Sequence, residues 1–152
     1  MNKVLKLALS MAVLLVTFNA HAKLEKSEIM GVWTQTQNEQ GVNVSSTYDF
    51  KADGTVTQIL VMNSTSPKMN IIADGTVKYQ LADDTITFKF SASDFNFTVF
   101  EIEGLPQEYV EIAKQQTLAQ MTNMEQKLTD VKIDGNTLTA NFNGQPISLH
   151  RN

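Results

Sequence analysis

The sequence contains no cysteine, which excludes disulfide bonds, thiolate metal sites and cysteine nucleophiles. Histidine is also scarce, and of the two histidines only His150 lies outside residues 1–22. A single imidazole does not build a multi-histidine zinc site. We therefore predict no metal centre and no bound cofactor, and we expect the fold to depend on its hydrophobic core alone.

No apolar run reaches the roughly 20 residues that a membrane-spanning helix needs. The longest run, residues 7–18, follows a short basic stretch containing Lys3 and Lys6. It ends close to Ala20-His21-Ala22, where two small side chains match the Ala-x-Ala pattern of a signal peptidase site. These features are typical of a secretory signal peptide.

We therefore predict a signal peptide over residues 1–22 and a single domain over residues 23–152. Position 23 is a lysine, so the lipid attachment of a bacterial lipoprotein, which needs cysteine there, is excluded. The short lysine-bearing signal indicates a bacterial protein of the periplasm or the medium. No membrane span is expected after the signal peptide is removed.

Positive charge is in short supply. The net charge is −4 for the whole chain and becomes −6 when the leader takes away two lysines and no acidic residue. An acidic surface has no electrostatic attraction for phosphate backbones or anionic lipids. We therefore expect no nucleic-acid partner.

The dominant pattern in the rest of the chain has a period of two. Val42, Val44, Ser46, Tyr48 and Phe50 share one face of a predicted strand, and the residues between them are polar. The same alternation recurs over residues 77–81, 86–90, 138–142 and 147–150. Pairs typical of tight turns separate the runs, namely Asp53-Gly54, Asp74-Gly75, Asp83-Asp84, Asp134-Gly135 and Asn143-Gly144.

This pattern predicts a mainly β domain, an antiparallel meander of about eight or nine short strands. Such a sheet must protect its edges, so we expect an up-and-down barrel or a strongly curled meander. Within one strand the apolar face switches between Val99 and Phe100, because Phe95 and Phe97 share a face with Val99 but not with Phe100. The switch predicts a β-bulge or a strand that passes from one buried side to another.

One segment breaks the alternation. From about residue 106 to residue 128, weakly polar and apolar residues recur at steps of three or four, and most residues between them are polar, the stripe being Val110, Ala113, Thr117, Met121, Met124 and Leu128. We predict an inserted amphipathic helix that packs this stripe against the sheet. Met121 and Met124 either line a flexible apolar pocket or belong to the buried stripe.

The first predicted strand opens with Gly31-Val32-Trp33, and Arg151 stands near the end of the chain. The sequence thus resembles the lipocalin-like (calycin-type) barrels, whose first strand opens with Gly-x-Trp and whose late arginine packs over the indole. The turn sequence of residues 50–55 is also similar to small bacterial exported domains of this type. The resemblance covers nearly all of residues 23–152 and implies that Trp33 and Arg151 form a structural pair at one barrel end.

The resemblance implies an exported binding protein for a small apolar ligand. The predicted lining consists of inward-facing strand residues and two helix residues, namely Ser46, Tyr48, Phe50, Tyr79, Phe88, Met121 and Met124. The same side chains suit a solid core equally well. The alternative is therefore a protein-interaction module of the cell envelope, such as an inhibitor or an assembly factor, without a ligand cavity.

Catalytic chemistry has little support in the sequence. Glu101 and Glu103 are two residues apart on a predicted strand, but no converging partner group accompanies them. His150 alternates with apolar neighbours, so it is expected to face solvent. We predict no catalytic residues and therefore no enzyme activity.

Overall fold

The computed structural model describes residues 23–122 and 126–151, so the predicted signal peptide lies outside the described residues. The described chain is mainly β, with a single 3₁₀ turn at Ala92–Asp94. Its helices and strands are α1 (Lys26–Ile29), β1 (Gly31–Glu39), β2 (Val42–Phe50), β3 (Thr55–Thr65), β4 (Lys68–Ala82), β5 (Thr85–Lys89), β6 (Phe95–Ile102), α2 (Gln107–Thr122), β7 (Gln126–Asp134), β8 (Thr137–Phe142) and β9 (Gln145–Arg151).

Eight of the strands close into an antiparallel barrel, and β6 is an additional strand. Each barrel strand pairs with the next one along the chain, except that β5 pairs with β7. The barrel closes where β9 returns to β1, with Trp33 opposite Arg151 and Thr34 opposite His150. The prediction of a mainly β, up-and-down barrel is confirmed.

The long strand β4 explains the position of β6. Residues 69–75 of β4 pair with β6, whereas residues 78–82 pair with β5 on the same side. β5 and β6 therefore lie end to end along β4, and β7 continues the barrel from β5 alone. As a result, β6 and α2 are an insertion between the paired strands β5 and β7, at one end of the barrel.

The bulge expected near Val99-Phe100 is present. The register of β4 and β6 shifts between Ile72 and Ala73, which lie opposite Val99 and Phe97. Phe100 lies opposite Ile71, which shares a face of β4 with Ala73, the partner of Phe97. Phe97 and Phe100 therefore lie on the same face of the sheet. Their rings meet edge to face, with centroids 5.0 Å apart. One extra residue thus keeps both rings on the apolar face.

The turn predicted at Asp74-Gly75 is wrong, because β4 runs straight through both residues. Gly75 is needed for close packing instead. A Cβ atom on Gly75 would approach the Phe95 ring to 2.7 Å and would also strike the Asp94 carbonyl group. Because Gly75 has no side chain, the Phe95 ring can pack directly on the backbone of β4 at this point. The other four predicted turns connect consecutive strands.

The barrel is solid at the end where β1 begins. Trp33, Val56, Ile86, Leu138 and Leu149 are fully buried there and come from five different strands. Just before β1, Leu24 and Ile29 are buried in the same cluster and cover this end together with α1. We call it the closed end. The hairpins β1–β2, β3–β4 and β8–β9 turn at the opposite, open end.

Helix α2 is shorter than expected. It ends at Thr122, and Leu128, which the predicted stripe included, is a fully buried residue of β7. Leu128 fits the helical spacing of apolar residues in the sequence, but it is buried because it faces inward from β7. Val110 and Ala113 are only half-buried, and α2 contacts β6 and the 3₁₀ turn. No described α2 residue belongs to the buried core cluster, although Leu118 packs against it while partly buried, so the helix lies at the edge of the core. Neither described helix is long and apolar enough to cross a membrane.

Candidate ligand-binding cavity

Trp33 and Arg151 meet at the closed end. The Arg151 guanidinium lies over the Trp33 ring, with Cζ 4.4 Å from the ring centroid. Trp33 Nε1 donates a hydrogen bond of 2.8 Å to the Ile29 carbonyl oxygen, and an Arg151 terminal nitrogen donates one of 2.7 Å to the Glu28 carbonyl oxygen. Both residues thereby hold α1 across the end of the barrel. This arrangement covers the closed end of the barrel.

Three of the residues expected to line a ligand site lie in the solid core instead. Phe50, Tyr79 and Phe88 are buried to at least nine-tenths of their surface. Phe50 meets Tyr79 edge to face at 5.2 Å and lies 6.1 Å from Phe88. The Tyr79 hydroxyl donates to the Lys51 carbonyl oxygen at 3.0 Å. These aromatic side chains form a floor beneath the cavity rather than its wall.

Above this floor the barrel holds a cavity of about 400 Å³. Its apolar wall comes from β3, β6 and β8, through Leu60, Met62, Phe95 and Phe142. Strands β6 and β7 do not pair with each other. The side of the cavity between them is lined by Thr117 and Gln120 of α2 and by Gln126 of β7. Helix α2 thus forms part of the cavity wall where no strand pairing closes it.

Ser46 and Tyr48 are predicted lining residues that do reach this cavity. The Tyr48 ring stacks 6.1 Å from Phe88, which joins the cavity to the aromatic floor. Burial raises the pKa of the Tyr48 phenol above its ordinary value, and a hydrogen bond with Ser46 opposes that rise. Tyr48 is therefore a neutral hydroxyl group at physiological pH.

Gln58 is a lining residue that the sequence analysis missed. It lies on β3 between Tyr48 of β2 and Gly75 of β4, and 9 % of its surface is exposed. Its Nε2 atom is buried and makes no hydrogen bond with any described residue. The signal was present in the alternation of β3, because Gln58 shares a face with Val56 and Leu60. A buried donor without an acceptor is costly and marks this part of the wall as unusual.

A second recess of about 780 Å³ adjoins the cavity at the open end and shares Ser46, Tyr48 and Phe142 with it. Side-chain amides dominate its polar lining, namely those of Gln35, Gln37, Asn38, Asn143 and Gln145. No lining residue that the structure describes carries a formal charge in either space. The described lining is therefore neutral, with amides in the recess and mostly apolar side chains in the cavity.

The remaining sequence candidates lie elsewhere. Met124 and the side chain of Met121 are outside the described residues. Glu103 accepts a hydrogen bond from the Lys68 backbone nitrogen at 3.0 Å, and His150 is exposed at the closed end. Within residues 23–122 and 126–151, no three His, Asp or Glu side chains come together as metal ligands do. None of these acidic or imidazole groups belongs to the cavity wall.

No family model matches the chain, and a search of curated proteins finds no match. A closed eight-stranded antiparallel barrel is consistent with a lipocalin-like fold and is compatible with ligand binding. What the cavity accepts depends on its own lining.

Proposed function

We propose that this chain is an exported, lipocalin-like protein that binds a small apolar molecule inside the open end of its barrel. One observation carries the proposal, namely the cavity of about 400 Å³ with an apolar wall above a solid aromatic floor. Ligand sites are typically concave spaces of roughly 300–1,000 Å³ that combine apolar walls with a few polar groups. The cavity has this size and this composition.

Binding would draw on the hydrophobic effect. Leu60, Met62, Phe95 and Phe142 present apolar surface that an apolar ligand would cover. Each Å² of apolar surface removed from water contributes about 25 cal/mol. The solid closed end limits the ligand to the upper half of the barrel, so a compact ring system or a short acyl chain suits the space.

The assignment to the lipocalin-like group is supported by the closed end. Gly31-Val32-Trp33 opens β1, and Arg151 from the last strand covers the indole, as the resemblance implies. Export is supported by the leader-like residues 1–22. Periplasm or medium is the proposed location. The competing function, an envelope-interaction module without a cavity, would leave the space at the open end without a role.

A neutral fluorescent probe tests the proposal. N-phenyl-1-naphthylamine becomes bright when it enters an apolar site, and the protein comprising residues 23–152 is expected to bind it. Leu60→Trp fills the cavity and is expected to weaken binding about tenfold or more. Val61→Trp, at the next residue of β3, faces outward and serves as the matched control.

Absence of probe binding to the unmodified protein would contradict the proposed function. So would equal binding by the Leu60→Trp and Val61→Trp variants, because the probe would then lie outside the barrel. Thermal melts of both variants establish that they are folded at the temperature of the titration.

A further inference from the structure

Among the described residues that line the cavity, Gln58 has a buried side-chain donor without a hydrogen-bond partner. Gln58 Nε2 is buried in the wall and has no acceptor among the described residues. Its neighbours across the strands are Tyr48 and Gly75, and Gly75 has no side chain to offer. A donor in this position gains most from a ligand that brings an oxygen acceptor into the cavity.

The charge of that acceptor is restricted by the lining. Among the described residues, no lysine, arginine or histidine lines the cavity or the adjoining recess. A carboxylate buried without a cation keeps little of its hydration and gains no compensating ion pair. A carbonyl oxygen of a neutral group accepts the same hydrogen bond without that desolvation cost.

We propose that the cavity selects uncharged acyl compounds, carboxamides or esters with an apolar body, and that Gln58 Nε2 donates to the carbonyl oxygen. The Ser46 and Tyr48 hydroxyl groups lie on the adjoining strand, where they can meet the second polar atom of the ligand head. The acyl chain then lies along Leu60 and Met62 towards the mouth. This inference rests on the proposed function, since it needs a ligand inside the barrel.

Competition against N-phenyl-1-naphthylamine tests the inference with three ligands of similar length. Decanamide has a neutral carbonyl group, decanoate is charged at a pH of about 8, and decane has no acceptor. We expect decanamide to displace the probe at a concentration about tenfold lower than either of the others. Equal competition by decanamide and decanoate would overturn the inference, while probe binding itself would still support the proposed function.

Gln58→Met provides the second measurement, because it keeps the length of the side chain and removes the donor. We expect this variant to lose the preference for decanamide over decane, measured as the ratio of the concentrations at which the two ligands displace the probe from the same variant. Gln80→Met, at an exposed position of β4, is the matched control and retains the preference.

Folding of the Gln58→Met variant is itself informative. Removing a buried donor without an acceptor is not expected to lower the melting temperature. A preference for decanamide that survives in Gln58→Met would overturn the role of Gln58. If this variant does not fold, the three-ligand comparison on the unmodified protein still tests the inference, because equal competition by decanamide and decanoate overturns it.

Discussion

At the scale of single residues, the closed end shows how few side chains organise the barrel. Trp33 is fully buried, yet its one polar atom is satisfied by the Ile29 carbonyl group. Arg151 covers the ring and reaches the Glu28 carbonyl group, so one pair joins the first strand, the last strand and α1. An indole and a guanidinium are suited to this position because each combines a flat apolar face with hydrogen-bond donors.

The Trp33–Arg151 pair gives a prediction for stability. Trp33→Ala is expected to lower the free energy of unfolding by about 3–5 kcal/mol, because it empties a large buried site. Arg151→Ala is expected to cost about 0.5–1 kcal/mol from the lost cation–π contact. The two losses are expected to be non-additive, since the side chains touch. Denaturant unfolding of both variants and of the double variant measures the coupling.

Fluorescence offers an independent check on the same pair. Trp33 is the only tryptophan, so its emission reports this site alone. We expect a blue-shifted native spectrum that changes in Arg151→Ala and not in His150→Ala, which removes an exposed neighbour. An emission maximum like that of free indole in water, or full additivity in the double variant, would contradict the sealed end.

At the scale of elements, strands and helix differ in how firmly they belong to the core. Each barrel strand contributes alternate side chains to one interior, so its inward residues are shielded on all sides. Helix α2 packs on β6 and the 3₁₀ turn, and its described apolar residues remain half-exposed. The helix therefore contributes less to stability than its length suggests. Its Thr117 and Gln120 side chains line the cavity instead.

Two alanines compare these elements directly. Ala140 of β8 is 6 % exposed in the core, whereas Ala113 of α2 is half-buried at the surface. Ala140→Asp is expected to lower the free energy of unfolding by about 3 kcal/mol or more, because it buries a carboxylate without a partner. Ala113→Asp is expected to cost about 1 kcal/mol or less. Equal losses in thermal or denaturant melts would show that α2 is part of the core.

At the scale of the whole molecule, the barrel is an asymmetric container. One end is filled by aromatic and aliphatic side chains from several strands, and the other is lined by neutral amides and holds the cavity. Among the described residues, the first to join the buried core is Leu24, whose backbone nitrogen donates to the Asp83 carbonyl oxygen at 3.2 Å.

Export yields the last prediction. When the whole chain is expressed in a bacterial host, the protein recovered from the periplasm or the medium is expected to begin at Lys23. N-terminal sequencing measures this directly. Ala22→Tyr places a bulky side chain in the shallow peptidase pocket and is expected to block cleavage, whereas Lys23→Gln is expected to leave it intact. An exported protein that still begins at Met1 would contradict the assignment.

The sequence by itself determined the secondary structure of most of the barrel and the pairing of its two ends. Period-two alternation places side chains on faces, and Asp-Gly or Asn-Gly pairs permit tight turns, so both signals are local. Trp33 opposite Arg151 followed from the family resemblance. The register shift in β6 could also be read from the change of face at Phe100.

Only the tertiary structure decided which inward residues form core and which form cavity. Phe50 and Ser46 share a face of the same strand, yet one is buried in the floor and the other lines the cavity. Asp74-Gly75 became the middle of a strand because Phe95 packs against it. Gln58 became a candidate ligand contact because Gly75 lies beside it. Alternation specifies a face, but only the packing of the other strands determines what stands opposite that face.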